Sequence, residues 1–431
     1  MTSALLDDLR ARGLIFQIAG EQELPVWLDG GSRTLYCGFD PTADSLHIGS
    51  LVPLLMLRRF QLAGHKPLAL VGGATGLIGD PSFKAQERQL NTEETVAGWV
   101  EKLKVQISRF IDFDAGEFSA ELVNNLDWTA KLNVLTFLRD VGKHFSVNAM
   151  IQKESVRQRI EREGSGISYT EFTYMILQAY DFSELNRRYD CTLQLGGSDQ
   201  WGNITSGIDL TRRLNGQQVF GLTMPLITKA DGSKFGKTEA GTVWLDAART
   251  SPYAFYQFWL GTADADVYRF LKYFSFLDVA EIDAIERADG AREGRPEGAT
   301  VLAREVTRLV HGEEGLAAAE RITASLFSGS LDTLADSDLL QLRQDGMPAS
   351  TVSRSEFPET MTHMLTEAGM ASSGKQVKDA LGRNAVTVNG TPVGWDCNAR
   401  VAECFAPEKA LCGRFYMVKL GKKKYHLFEV Q

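Results

Sequence analysis

Hydrophobic and polar positions switch repeatedly between a short and a helical period over the first half of this chain. Thr34 to Phe39 (TLYCGF) is a β-branched and aromatic run that predicts a buried strand, and it breaks into a turn at Asp40-Pro41-Thr42. From His47 to Leu62 apolar residues recur at Ile48, Leu51, Val52, Leu55 and Phe60, the spacing of a helix packed on a sheet; Pro53 sits near its start, where proline costs least. Residues 67–73 (PLALVGG) form a continuous apolar run, as in a parallel strand buried on both faces, and lead into a glycine-rich loop, ATGLIGDPS. Asn91-Thr-Glu-Glu94 predicts a capping box that opens a helix through about Phe110, and AELVNN (120–125) predicts another strand. Thr129 to Arg188 reads as helical and charged, interrupted by REGSGIS, and CTLQLGGSDQWGNI predicts a strand, a Gly-Gly turn and a helix start. Strand and helix thus alternate over residues 34–223, which predicts an α/β fold with a doubly wound parallel sheet.

The flanks differ. Leu5 to Ile15 predicts a helix, followed by a turn-rich lead-in, LPVWLDGGS. Beyond Ser251 the strand pattern stops, and residues 251–330 read as an α-helical domain, aromatic at its start (PYAFYQFWLG). Residues 331–355 lose periodicity and predict a linker. The tail, 356–431, predicts two helices (ETMTHMLTEAG and GKQVKDALG), then a tight hairpin at Asn389-Gly390 within AVTVNGTPV, and closes on KLGKKKYH. No internal repeat is present.

Composition narrows the class. A chain of 431 residues, 44% hydrophobic and 23% charged, is an ordinary globular protein of two or three domains. Its start lacks the apolar core of a signal peptide and no stretch is long and uncharged enough to span a bilayer, so the expectation is a cytoplasmic protein with no membrane partner. Five cysteines in no CxxC arrangement argue for reduced thiols and against zinc or a disulfide framework. A net charge of -9 gives no global sign of a nucleic-acid binder, although local patches act over a Debye length of about 10 Å.

Chemistry concentrates at the end of the first predicted strand, where Tyr36, Cys37, Asp40, Thr42, Asp44, His47 and Ser50 fall within eighteen residues. Open α/β sheets bind ligands at strand carboxyl ends, because helix N-termini leave N–H groups facing one crevice. The glycine-rich loop after the second strand lacks a closing Gly-Lys-Ser/Thr and is no Walker-type phosphate cradle. A second cationic loop, KADGSKFGKTEAG, follows the sheet region.

HIGS (47–50) resembles the first signature of class I aminoacyl-tRNA synthetases, H-I-G-H, and SKFGKT (233–238) resembles the second, K-M-S-K-S. Between them YCGFDPTADSLH, GGATGLIGDPS, YTEFTYMILQAYDF and LQLGGSDQWGNI are similar to bacterial-type tyrosyl-tRNA synthetases, and the similarity runs over nearly the whole chain. The resemblance implies a Rossmann-type catalytic domain (1–250) with a helical insertion and a mobile lysine loop (230–240). It further implies a helical anticodon-side domain (251–330), a linker (331–355) and a small S4-like α+β RNA-binding domain (356–431). ATP activation of a carboxylic acid needs positive charge where pyrophosphate departs. Thr42, His47, Lys234, Lys237 and Thr238 match the family residues in that role. Tyr36 and Asp181 match those that bond a tyrosine hydroxyl; Asp80, Tyr174 and Gln178 match those that hold its amino group, and Gly197, Asp199 and Gln200 resemble those that meet the ribose and the aminoacyl group, Gln200 on the tyrosine side. Tyr174, Gln178 and Asp181, spaced four and three apart, share one helix face. Cys37, Gly38, Asp40, His47, Ser50, Gly197, Asp199, Lys234 and Lys237 match the ATP side. For RNA, Arg212, Arg213 and Lys153 match acceptor-arm contacts, and Lys422, Lys423 and Lys424, with Lys419, are tail candidates. The implied substrates are L-tyrosine, ATP with Mg2+ and tRNA(Tyr), handled by a homodimer with no tightly bound cofactor. Three departures stand out: Ser50 replaces the second signature histidine, Phe235 and Gly236 replace Met and Ser of the second signature, and Lys378-Asp379 replaces paired arginines in the tail. A tryptophan-specific relative and a non-catalytic RNA-binding paralogue are the competing readings; Tyr36 with Asp181 argues against the first, and the lysine loop against the second.

Overall fold

A computed structural model describes residues 4–80, 90–161, 166–233, 235–238 and 241–431, with backbone alone at 155, 237 and 238. It divides into two compact units, Met1–Asp246 with Ala263–Gly298, and Ala247–Thr262 with Ala299–Gln431.

The first unit is built on a six-stranded sheet. Its strands are β1 (Gln17–Ala19), β2 (Thr34–Phe39), β3 (Lys66–Val71), β4 (Glu121–Asn124), β5 (Cys191–Gly197) and β6 (Phe220–Met224), in spatial order β1-β6-β5-β2-β3-β4. The five strands from β2 to β6 are parallel, as the apolar runs predict, and β1 adds an antiparallel edge by pairing with β6. The chain runs outward from β2 through β3 to β4, then returns to lay β5 on the other side of β2. The strand order therefore reverses between β2 and β5, the place where an open sheet leaves a crevice at its carboxyl edge. Helices α1 (Leu51–Leu62), α2 (Glu93–Ile107), α3 (Tyr169–Tyr189) and α4 (Trp201–Asn215) provide the crossovers and cover the sheet.

Several expectations change in detail. The lead-in LPVWLDGGS contains a helix, Leu24–Asp29, with Pro25 in its first turn, where the missing N–H costs nothing. The cap of α2 falls one residue later than predicted: Thr92 accepts from the Thr95 N–H. Gly196 and Gly197 lie inside β5, and the turn after it is the single 3-10 turn Ser198–Gln200. Glycine serves there by letting α4 approach, since a Cβ on Gly196 would meet Gln200 Cβ at 3.0 Å and Ile204 Cδ1 at 3.1 Å. The loop REGSGIS lies partly outside the described residues.

The helical stretch 251–330 does not stay together. Residues 263–298 pack with the sheet unit and the remainder with the C-terminal unit. Two buried arginines fasten the former: Arg12 donates to the Leu277 carbonyl at 2.8 Å and Arg59 to that of Ser275 at 2.5 Å. The second unit contains a five-stranded sheet in the order β11-β10-β12-β13-β9, numbered after the hairpin β7 (Lys237–Thr238) and β8 (Gly241–Thr242). Its strands are β9 (Ala349–Val352), β10 (Val386–Val388), β11 (Thr391–Val393), β12 (Phe415–Leu420) and β13 (Lys424–Val430). Residues 331–355, expected as a linker, carry the helix Asp336–Gln341 and β9, which pairs parallel with β13. A polar edge strand (ASTV) buries little and leaves no apolar alternation to read. The helix is pinned instead by Asp338, fully buried, which accepts two bonds from Arg321 at 2.7 Å. The hairpin at Asn389-Gly390 forms as predicted, both residues at positive φ (48° and 79°). No described helix is long and apolar enough to cross a membrane.

Candidate active site

The crevice at the carboxyl edge is built from strand ends and from α3. The buried polar stripe of α3 faces the sheet, and Ser168 caps the helix by accepting from the Glu171 N–H. Glu171 is itself tied to Arg159 at 2.9 Å, both side chains at most 3% exposed, so the start of α3 is fixed by an interior ion pair. Asp181 then lies buried, 2% exposed. Its two oxygens accept from Trp128 Nε1 at 2.8 Å and Asn125 Nδ2 at 2.9 Å. Burial pushes its carboxyl up to about 7 even though both bonds pull it down.

Tyr36, on the central strand β2, packs edge-on against Phe182 at 5.3 Å. Its hydroxyl is buried with no hydrogen-bond partner among the described residues, and both burial and the charge of Asp181 push its ionisation well up. An orphaned buried hydroxyl is costly, by about 1–3 kcal/mol, and calls for a partner from outside the chain. From Asp181 a chain of polar groups crosses the pocket floor. Asn125 also donates to Thr75 Oγ1 at 3.0 Å, Thr75 donates to Asp40 Oδ1 at 2.6 Å, and the Tyr174 hydroxyl donates to Asp40 Oδ2 at 2.6 Å. Gly72 permits this: a Cβ there would stand 2.0 Å from Asp40 Oδ1 and 2.4 Å from Thr75 Oγ1. Opposite, Gln200 Nε2 donates to Asp80 at 2.8 Å, and Asn203 Nδ2 bridges Gln178 Oε1 at 2.9 Å and Gln200 Oε1 at 3.1 Å. Thus Tyr174, Gln178, Asp181, Asp80 and Gln200 gather around one pocket, held by Thr75, Asn125, Trp128 and Asn203, four residues that the sequence reading passed over. Asn125 had a signal, since it follows the last residue of β4 and strand carboxyl ends carry ligand groups. Trp128 and Asn203 look like ordinary helix residues.

Beyond Asp40 the pocket opens. Thr42, Gly38 and His47 are exposed, and a cleft of about 180 Å³ lies between Asp40–Thr42, Gly76–Gly79 and residues 90–91. The Cys37 thiol, in contrast, is 3% exposed and pushed by burial up to about 12; it is a packing group. At the end of β5 Gly197 leaves room for the side chain of Asp199 in the following turn: a Cβ on Gly197 would meet Asp199 Oδ1 at 2.4 Å. His47 Nδ1 accepts from the Gly49 N–H at 3.0 Å and so caps the turn Ile48–Ser50; the Ser50 side chain makes no cap bond to α1.

The first signature segment bonds through its backbone to residues 243–245, which follow the second, and Val243 N–H in turn donates to the Gly236 carbonyl at 3.1 Å. Ile48 N–H donates to the Val243 carbonyl at 3.0 Å, Leu245 N–H to that of Leu46 at 2.9 Å, and His47 faces Trp244 in an antiparallel bridge. Gly236 lies at φ 80°, and a Cβ on it would strike Ile48 Cγ2 at 2.5 Å. Phe235 is buried against Phe270 and Phe274, at 4.9 and 5.5 Å, which anchors the root of the lysine loop. Lys234 lies outside the described residues, as do the side chains of Lys237 and Thr238.

The RNA candidates divide into engaged and open groups. Lys153 donates to the Gly202 carbonyl at 3.2 Å and to Thr205 Oγ1 at 3.1 Å, and burial lowers its pKa. Arg212 and Arg213 both pair with Asp209, at 2.7 and 2.8 Å, in exposed bridges of the kind worth at most about 1 kcal/mol. Lys422 and Lys423 are exposed in the turn between β12 and β13, whereas Lys424 donates to the Met370 carbonyl at 2.9 Å. Lys419 lies 5.1 Å over the Tyr425 ring. Among the described residues no group of three or more metal-ligating side chains gathers.

A parallel sheet with its crevice at the point of strand reversal, and a first signature segment bonded to the residues that follow the second, define a class I synthetase. The model of class I tRNA synthetases for tryptophan and tyrosine matches residues 29–328, and that of the SYY-like C-terminal domain of tyrosine–tRNA ligases matches residues 338–428. The chain belongs to the tyrosine–tRNA ligase family within that class. It is 63% identical over 427 residues to the tyrosine–tRNA ligase of Aliivibrio fischeri and 58% identical over 426 residues to that of Escherichia coli, covering 99% of both chains in each case. Among solved structures it is similar to a C-terminally truncated mitochondrial tyrosyl-tRNA synthetase of Aspergillus nidulans. The TM-score is 0.67 and the identity 28%, over 75% of this chain and 94% of that one.

Proposed function

We propose that this crevice carries out the family's two-step reaction with the residues gathered in it. The chain is a tyrosine–tRNA ligase: tyrosine attacks the α-phosphate of ATP to give tyrosyl-adenylate and pyrophosphate, and the tyrosyl group passes to the 3′ end of tRNA. The observation that carries the site reading is the partnerless buried hydroxyl of Tyr36 beside Asp181. A substrate phenol placed there accepts from Tyr36 and donates to Asp181. Tyr174, Gln178, Asp80 and Gln200 offer oxygens to the ammonium. Asp40, Thr42, His47, Gly197 and Asp199 border the nucleotide, and Lys234, Lys237 and Thr238 supply charge to the departing pyrophosphate. Magnesium arrives as MgATP, its positions filled by phosphate oxygens and water. ATP–pyrophosphate exchange with each of the twenty amino acids tests this: tyrosine alone supports exchange, and exchange with tryptophan at a similar rate would refute the pocket reading.

Serine at position 50 is shorter than histidine and lies at the start of α1. Ser50→His is expected to lower the ATP KM by a few-fold, the worth of roughly one added hydrogen bond. Unchanged adenylate formation at limiting ATP in stopped flow would dismiss the idea.

The working form is a cytoplasmic homodimer. Val134, Leu135, Leu138, Val147 and Ile151 are 41–72% exposed along one segment, a concentration of apolar surface that supports a second copy as its cover. Leu135→Glu is expected to shift the enzyme to monomers in sedimentation velocity; an unchanged dimer would remove this segment from the interface. Arg212 and Arg213 exchange Asp209 for acceptor-arm phosphates, and Lys422 and Lys423 add contacts from the tail.

A further inference from the structure

An unbroken series of hydrogen bonds, running outward from Asn125 to Asp181 on one side and through Thr75 to Asp40 on the other, joins the two ends of the site. Asn125 spends both amide hydrogens, one on Asp181 Oδ2 at 2.9 Å and one on Thr75 Oγ1 at 3.0 Å. Its oxygen accepts from the Ala74 N–H at 2.7 Å, which fixes the amide orientation. Thr75, having accepted from Asn125, has its own hydrogen for Asp40 Oδ1 at 2.6 Å, and Tyr174 supplies the other carboxylate oxygen. Asn125, Thr75 and Asp181 are 1–3% exposed, so water cannot substitute for a missing member. Neither Thr75 nor Asn125 borders the phenol or the nucleotide directly in the assignments above.

We propose that Thr75 is a positioning residue that couples occupancy of the phenol subsite to the placement of Asp40 on the nucleotide side, so that the tyrosine hydroxyl is read in the rate of adenylate formation as well as in binding. The physical route is short. A phenol that donates to Asp181 redistributes that carboxylate's bonds with Asn125, and an interior amide with every hydrogen committed passes the change to Thr75. Bonds in such buried series reinforce one another, and only a cycle of paired changes isolates the effect. Asp40 is held at both oxygens and by the close backbone of Gly72, so a shift of the Thr75 hydroxyl moves the carboxylate that borders the nucleotide.

This rests on the assignment of Tyr36 and Asp181 to the phenol, and the experiment separates the two. Single-turnover adenylate formation is measured with tyrosine and with phenylalanine, which lacks only the hydroxyl, in the unaltered enzyme, Thr75→Ala, Thr75→Ser and Tyr36→Phe, with amino-acid dissociation constants measured in parallel. In Thr75→Ala the maximal rate with tyrosine falls more than that with phenylalanine, by a factor of about three or more, in the range of couplings between residues of one network. Thr75→Ser, which keeps the hydroxyl, restores the difference. Equal losses with the two amino acids, or a loss confined to the tyrosine dissociation constant, overturns the coupling. Should Thr75→Ala fail to fold, Thr75→Cys, of similar size with a weaker donor, is read by the same ratio. If Tyr36→Phe leaves the tyrosine-to-phenylalanine ratio unchanged, the phenol assignment itself falls; if that ratio drops while Thr75→Ala shows no difference between the amino acids, the relay alone is lost.

Discussion

Replacing Lys234 and Lys237 together by alanine is expected to slow tyrosyl-adenylate formation by about 10³-fold or more while leaving tyrosine affinity within about twofold, since a preorganised donor to a developing charge contributes roughly 10²–10³ in rate. The reaction moves negative charge onto pyrophosphate, and little proton transfer accompanies it, so cations aimed at the leaving group carry the acceleration. The root of the lysine loop supports that aim. Phe235 is buried, Val243 N–H donates to the Gly236 carbonyl at 3.1 Å, and residues 243–245 pair with 46–48, so the loop departs from a base bonded to the His47 segment. The pocket proposed for the amino acid, with Asp181, Tyr174 and Gln178 on α3, shares no hydrogen bond with that base among those described. Rapid quench for adenylate and equilibrium dialysis for tyrosine separate the two quantities. A parallel loss of affinity and rate would take the lysines out of transition-state stabilisation.

Asp181→Asn is the second large effect. It should lower kcat/KM for tyrosine by about 10- to 150-fold, from the roughly 1.5–3 kcal/mol carried by a hydrogen bond to a charged group. The asparagine fits in volume but brings an NH2 group toward Asn125 Nδ2 and Trp128 Nε1, two donors already committed to the carboxylate. Its one oxygen accepts from only one of them, so the other donor and the new NH2 face each other without an acceptor in a site 2% exposed. Because phenylalanine has no hydroxyl to present, its activation should fall less, and the preference for tyrosine over phenylalanine should shrink accordingly. Pyrophosphate exchange with both amino acids measures this. Equal losses would make Asp181 a structural member of the interior only.

The division of labour explains why Asp181 holds a raised pKa without losing its role. Burial favours the neutral acid, whereas Asn125 and Trp128 favour the anion, and the carboxyl is left near 7. A substrate phenol that donates to Asp181 adds a further donor on the anion's side. The pocket is therefore completed electrostatically by its ligand.

By itself the sequence determined the parallel sheet, because strands buried on both faces must read as unbroken apolar runs such as PLALVGG and CTLQLGG. It also determined the hairpin at Asn389-Gly390, because few residues other than asparagine and glycine adopt positive φ without strain. The polar stripe of Tyr174, Gln178 and Asp181 was legible from helical spacing alone, and the paired signatures from their residues and order. The long-range contacts, by contrast, exist only in the folded chain. Asn125 and Asp181 are 56 positions apart, Thr75 and Asp40 are 35, and the bond between Leu245 and Leu46 joins opposite ends of the catalytic unit. The division of the helices after Ser251 between two units, the strand at Ala349–Val352 and the pairing of Arg212 and Arg213 with Asp209 likewise depend on which surfaces meet. Local periodicity records which face of an element is apolar; it carries no record of the partner that a buried amide or carboxylate finds there, because that partner is chosen by the closure of the sheet.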